Sequence, residues 1–143
     1  MRSLLAGLSA LPLLWPLGQA VTPPAGQTTP VEHGRYIVER VAMCFECHTP
    51  RDESGELLRS RWLLGAPILV SPPGFQKGDW AIEAPRIAGM PGYTEEEGVR
   101  LLTRGIDRNG ESLRPPMPPF RLSETDARAV VAYLKSLGAS SGP

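Results

Sequence analysis

Both cysteines of this chain, and one of its two histidines, fall within the five residues Cys44-Phe45-Glu46-Cys47-His48. Residues i, i+3 and i+4 share one side of a helical turn, so this spacing presents two sulfur atoms and an imidazole together. Zinc asks for four ligands, yet no further cysteine exists, only His33 remains, and adjacent Cys47 and His48 share a tetrahedral centre poorly. A thioredoxin-like redox pair opens a helix after a strand, whereas this pair closes a helix and no βαβ pattern surrounds it. A plain disulfide between cysteines three apart would close a loop too small to restrain much of the unfolded chain.

What the cluster can hold depends on compartment and core size. The chain has 143 residues, one domain's worth, and its 15 glycines and 16 prolines imply a fold rich in turns and loops. Formal net charge is zero and no block of like charge occurs, which removes a nucleic-acid surface and a polybasic membrane patch from consideration. Residues 1–20 read as a secretory signal peptide: Arg2, an uncharged apolar run from Leu4 to Leu17, then Gly18-Gln19-Ala20 for cleavage after Ala20. The apolar run is short for a membrane span and contains Pro12 and Pro16, so a membrane role follows only if the segment stays uncleaved. The expectation is a periplasmic or otherwise exported protein. There a close thiol pair oxidises unless something else claims it.

Residues 21–31, rich in Pro and Thr, read as a flexible linker, with the ordered domain spanning 32–138 and a disordered tail at 139–143. Ile37, Val38, Val41 and Ala42 form one helical face, predicting a first helix from about His33 to Phe45. Residues 49–93, interrupted by prolines and glycines, predict a long loop with at most turns or a brief strand. Thr94 and Glu97 make a capping box that opens a second helix, with Leu101, Leu102 and Ile106 as its apolar stripe. Ser123 caps a third helix that carries Ala127, Val130, Val131, Leu134 and Leu137 and stops at Gly138.

The fourth chemistry for the cluster is covalent haem attachment, for which C-x-x-C-H is the signature. On that reading Cys44 and Cys47 can each form a thioether with one vinyl group and His48 aims at the iron, while Phe45 and Glu46 act as spacers whose identity matters less. An electron-transferring haem iron also takes a second axial ligand, usually a methionine thioether. Met1 leaves with the signal and Met43 is tied beside Cys44, which leaves Met90 and Met117. Met117 lies in the stiff segment "RPPMPPF" just before the closing helix and is the preferred candidate.

With its helix leading into "CFECHT", followed by "APRIAG", "PPMPPF" and "DARAVVAYLKSL" in that order, the chain resembles the class I single-haem c-type cytochromes over roughly Glu32 to Gly138. The resemblance implies an all-α cytochrome c fold, about three main helices and long Pro/Gly-rich loops around one covalent haem c. It implies that the first and last helices cross, bringing Gly34, Ile37 and Val38 near Val130, Tyr133 and Leu134. It also implies that the Pro85 carbonyl accepts the Nδ1 proton of His48. The long stretch from His48 to Pro85 is similar to that of longer cytochromes serving periplasmic dehydrogenases and respiratory chains. Arg51, Trp62, Trp80, Arg86 and Tyr93 are candidates for propionate contacts, none preferred.

With both axial positions filled, the expected role is a one-electron carrier rather than an enzyme. Its partners would be redox proteins: a dehydrogenase, an oxidase or another cytochrome. The alternatives are an electron-transfer subunit of a larger dehydrogenase or oxidase complex and, less favoured, a peroxidase-like haem enzyme.

Overall fold

The computed structural model describes residues 28–74 and 78–139. The expected signal peptide, most of the expected linker and the last four residues of the expected tail lie outside them. Among the described residues no helix is long and apolar enough to cross a membrane.

Helix α1, Pro30–Tyr36, starts three residues before the expected boundary. Thr29 and Glu32 explain why: the Glu32 amide donates to Thr29 Oγ1 at 3.2 Å and the Thr29 amide donates to the Glu32 carboxylate at 2.9 Å, with Pro30 inside the first turn. Nor does the helix run on to Phe45. It widens into a π-helical turn, Ile37–Val41, in which the Ala42 amide donates to the Ile37 carbonyl and the Cys44 amide to the Val38 carbonyl. Met43 then takes a left-handed φ of 49°, and a separate short helix α2, Phe45–His48, begins. The extra residue in the wide turn breaks the i→i−4 ladder, so the cysteine cluster occupies a new turn instead of the end of the first helix.

The long loop contains one 3₁₀ turn, Arg59–Arg61, and a minimal antiparallel pair, β1 Ala66–Pro67 and β2 Glu83–Ala84, in register Ala66 to Ala84. Helix α3, Glu95–Arg104, opens on the expected Thr94/Glu97 capping box and ends at Gly105, which at φ 70° takes the left-handed cap that glycine allows. Helix α4, Glu124–Ala139, opens at Ser123, whose hydroxyl accepts the Asp126 amide at 3.1 Å.

The core lies where α1 and its π-helical extension, α3 and α4 meet, around Ile37, Val38, Leu63, Val99, Leu102, Val130, Val131 and Leu134. Burial of these apolar faces is the main source of stability in so small a domain. The closest helix contact is at Gly34, where an added Cβ would fall 1.9 Å from the Ala129 carbonyl oxygen and 2.9 Å from Tyr133 Cβ, so α1 and α4 touch backbone to backbone. Gly138 is not the stop expected of it. It lies inside α4 against Gly89, whose Cα would be 2.7 Å from a Cβ at position 138, and close approach rather than termination explains the glycine.

Candidate functional site

Cys44, Cys47 and His48 share one turn, closed by a 3.0 Å bond from the His48 amide to the Cys44 carbonyl. Cys44 is half-buried against the core, where burial pushes its thiol up to about 11, while Cys47 is exposed and the two are not joined by a disulfide. The two residues between them are anchored, which corrects the expectation that they are mere spacers. Phe45 stacks on Trp62 with ring centroids 5.0 Å apart, and the Arg59 guanidinium lies over the Trp62 ring, 4.5 Å from its centroid. Glu46 pairs with Arg51, which also donates to the Gly55 carbonyl at 2.9 Å.

His48 is buried, and its Nδ1 lies 2.7 Å from the Pro85 carbonyl oxygen. A carbonyl only accepts, so Nδ1 carries the proton and Nε2 is left with its lone pair. Among the described residues Nε2 has no hydrogen-bond partner. Burial holds the imidazole below the ordinary histidine range, opposed by the Pro85 carbonyl, which favours the neutral ring that binds metals.

Three residues that sequence reasoning did not single out fix this pair. The buried Thr49 hydroxyl accepts the Leu63 amide at 3.0 Å. Gly65 donates its amide to the His48 carbonyl at 2.8 Å, and its φ of 92° brings it so close to the next strand that an added Cβ would meet Ala84 O and Arg86 N at 2.9 Å and the Pro85 carbonyl carbon at 3.1 Å. Leu63, itself left-handed at φ 56°, accepts both the Ile87 and Ala88 amides at 3.0 Å. The Leu63–Gly65 turn is therefore bonded to the histidine segment on one side and the Pro85 segment on the other. Thr49 beside His48 and glycine inside "LLGAP" are the only sequence signals for it.

The two remaining methionines part company. Met90, at φ 45°, is buried in the core, its Cε and the Val131 Cγ2 each 2.9 Å from where a Cβ on Gly98 would sit. Met117 is half-exposed on the segment between α3 and α4, its amide bonded to the Arg114 carbonyl at 3.2 Å and its sulfur without a hydrogen-bond partner among the described residues. The five residues considered for propionate contacts all have protein partners. Arg51 and Trp62 are engaged as above, Trp80 donates to the Val70 carbonyl, Arg86 donates to the Ala88 carbonyl, and Tyr93 lies under Arg108.

The donor set suits one planar iron cofactor better than a bare ion. Two thiols and a neutral imidazole share one turn, a free thioether stands on another segment, and among the described residues no three His, Cys, Asp or Glu side chains form a metal-ion group. A small helical protein with that turn, its histidine backed by a carbonyl, is a c-type haem domain. The family model for cytochrome c matches residues 31–138, and the chain belongs to the cytochrome c family. It is 33% identical over 114 residues to a protein named "Diheme cytochrome c-type" from Cereibacter sphaeroides, a match covering 76% of this chain and 36% of that protein. It is 29% identical over 116 residues to "Fructose dehydrogenase cytochrome subunit" from Gluconobacter japonicus, covering 74% and 22% respectively. The chain thus spans well under half the length of either relative.

Proposed function

We propose that the protein is a one-electron carrier with a single covalently attached haem c, bound through thioethers at Cys44 and Cys47 and ligated by His48 Nε2 and the Met117 sulfur. When bound, the haem supplies an iron that cycles between Fe(III) and Fe(II). The protein's residues fix everything around that change. Pro85 holds the His48 tautomer so that Nε2 keeps its lone pair for the iron, and a hydrogen-bonded imidazole is the stronger ligand. A soft thioether disfavours the more positive ferric state and raises the reduction potential relative to a bis-histidine site. With His48 and Met117 both holding the iron, no position on it would be left open for substrate chemistry.

The observation that carries this reading is the 2.7 Å contact between His48 Nδ1 and the Pro85 carbonyl, with Nε2 free of protein partners. One haem is proposed because the chain has only two cysteines. Export is proposed from residues 1–20, where thioether formation and the signal reading agree. The test is a visible spectrum of the purified protein, oxidised and reduced, with denaturing electrophoresis. Haem should stay with the polypeptide through denaturation, and its extraction by acidified solvent, or two free thiols in the mature protein, refutes the assignment.

A second reading makes the same haem domain an electron-transfer subunit of a larger dehydrogenase. It is favoured by the relative named as a dehydrogenase cytochrome subunit, of which this chain matches 22%. Purification under gentle conditions separates the two readings, since a subunit co-purifies with its partner at fixed stoichiometry.

A further inference from the structure

We propose that the segment leading into Pro85 also positions Met117, through a two-point latch formed by the Ala81 amide and the Arg114 guanidinium; the inference rests on the axial roles proposed above. The Ala81 amide donates to the Pro115 carbonyl at 2.7 Å, and Arg114 donates to the Gly78 carbonyl at 3.3 Å. Ala81 is four residues before the carbonyl that backs His48, and Pro115 is two residues before Met117. One segment therefore carries the proposed support of one iron ligand and touches the segment that carries the other.

The Met117 segment needs such a contact because it has little else of its own. Prolines at 115, 116, 118 and 119 supply no amide donors, so the segment can be held only through its carbonyls and its few remaining N–H groups. Its ends are fastened by the Leu113 amide to the Gly105 carbonyl at 3.1 Å and the Leu122 amide to the Leu102 carbonyl at 3.2 Å. Between them, the contacts reaching across to the 78–81 segment are those made at Arg114 and Pro115. That segment is in turn fixed beyond Ala81, because the Ile68 amide donates to the Ile82 carbonyl at 2.8 Å just before β2 pairs with β1. Arg114 and Ala81 are thus positioning residues. They keep the thioether close to the iron and shift the balance between bound and dissociated Met117.

Cyanide binding to the ferric holoprotein reads that balance, because cyanide takes the position only when Met117 leaves it. A net hydrogen bond changes an equilibrium by roughly three- to tenfold. Ala81→Pro, which deletes the donor, should strengthen apparent cyanide binding by about that factor, and Arg114→Ala by about twofold, since that bond is longer and exposed. Arg114→Lys should restore most of the wild-type value. Coupling is reciprocal, so Ala81 amide hydrogen exchange in the wild type should accelerate when cyanide displaces Met117. That last measurement needs no variant, and together with Arg114→Ala it keeps the test decisive if Ala81→Pro does not fold. Met117→Ala is the reference. If it binds cyanide far more tightly than wild type while Arg114→Ala, Ala81→Pro and Ala81 exchange show no change, the latch is wrong and the axial assignment stands. If Met117→Ala binds cyanide like the wild type, the axial assignment fails and the latch with it.

Discussion

The two sides of the proposed iron site are held by different physics. On the histidine side, His48, Thr49, Leu63 and Gly65 are bonded to one another or to the Pro85 segment at 2.7–3.0 Å, through the His48 and Thr49 side chains and backbone groups. On the methionine side, Met117 is half-exposed in a run of prolines, fastened at its ends and by the contacts at Arg114 and Pro115. A hydrogen-bonded network resists displacement because every broken bond leaves a buried group unpaired. A proline-stiffened segment resists because it has little conformational entropy left to gain. The first device suits a ligand that must never leave, the second one whose attachment can be tuned.

The sharpest way to break this comparison is to delete each ligand. His48→Ala removes the proposed iron ligand and the Pro85 contact together, and in a small, loop-rich domain whose stability comes from its filled centre it should leave a largely unfolded or degraded chain. Met117→Ala should fold and retain covalent haem, lose the weak long-wavelength sulfur-to-iron absorption of the oxidised form and bind cyanide more tightly. Far-UV circular dichroism and visible spectra of both variants check this. Equal helical signal in the two would show that the histidine network does not support the fold.

Next in size is Gly65→Ala. The side chain must adopt φ 92° and push against the Ala84 oxygen and Arg86 nitrogen at 2.9 Å, so strain and overpacking combine to about 3 kcal/mol of destabilisation. A urea-midpoint shift of the holoprotein measures it. A loss below about 1 kcal/mol would mean that the turn moves away freely. Thr49→Val comes after it: the isosteric change leaves the Leu63 amide without its acceptor and should cost about 1–3 kcal/mol, with Thr49→Ser close to wild type. Were Thr49→Val neutral, the network would be less tightly coupled than its geometry indicates.

The same contrast explains what could be read in the sequence. The Cys44–His48 turn was legible because its function is a local spacing, and α3 and α4 were legible because Thr94/Glu97 and Ser123/Asp126 announce their starts. The start of α1 carried the same signal in Thr29 and Glu32 but was obscured by the Pro- and Thr-rich run before it. The π-helical turn and the left-handed Met43 leave no such mark, because a wide turn uses the same apolar periodicity as an α-helix. Contacts between distant segments were the least legible. That Phe45 stacks on Trp62, that Gly65 closes on Pro85 and that Gly138 meets Gly89 depends on the path of loops whose composition specifies turns but not destinations.

The smallest effect belongs to a contact in neither side, and it serves as the control. His33 on α1 lies 2.7 Å from Asp126 in the first turn of α4, and Asp126 also accepts the Ser123 hydroxyl at 2.8 Å. The hydrogen bond from His33, then that from Ser123, hold the Asp126 carboxyl below the usual aspartate range. A carboxyl lowered in the folded state binds fewer protons there than in the unfolded chain, so stability rises with pH across the interval between the two values. The contribution is complete above the unfolded value of about 4 and is lost as pH falls through the lower folded one. Both side chains are more than a third exposed, so solvent screening keeps the whole effect below about 1 kcal/mol. Asp126→Asn should flatten the melting temperature against pH below about pH 4 and leave the visible spectrum and cyanide binding untouched. A change in either of the last two would mean that the α1–α4 contact reaches the iron site, and the division into two separately held sides would have to be redrawn.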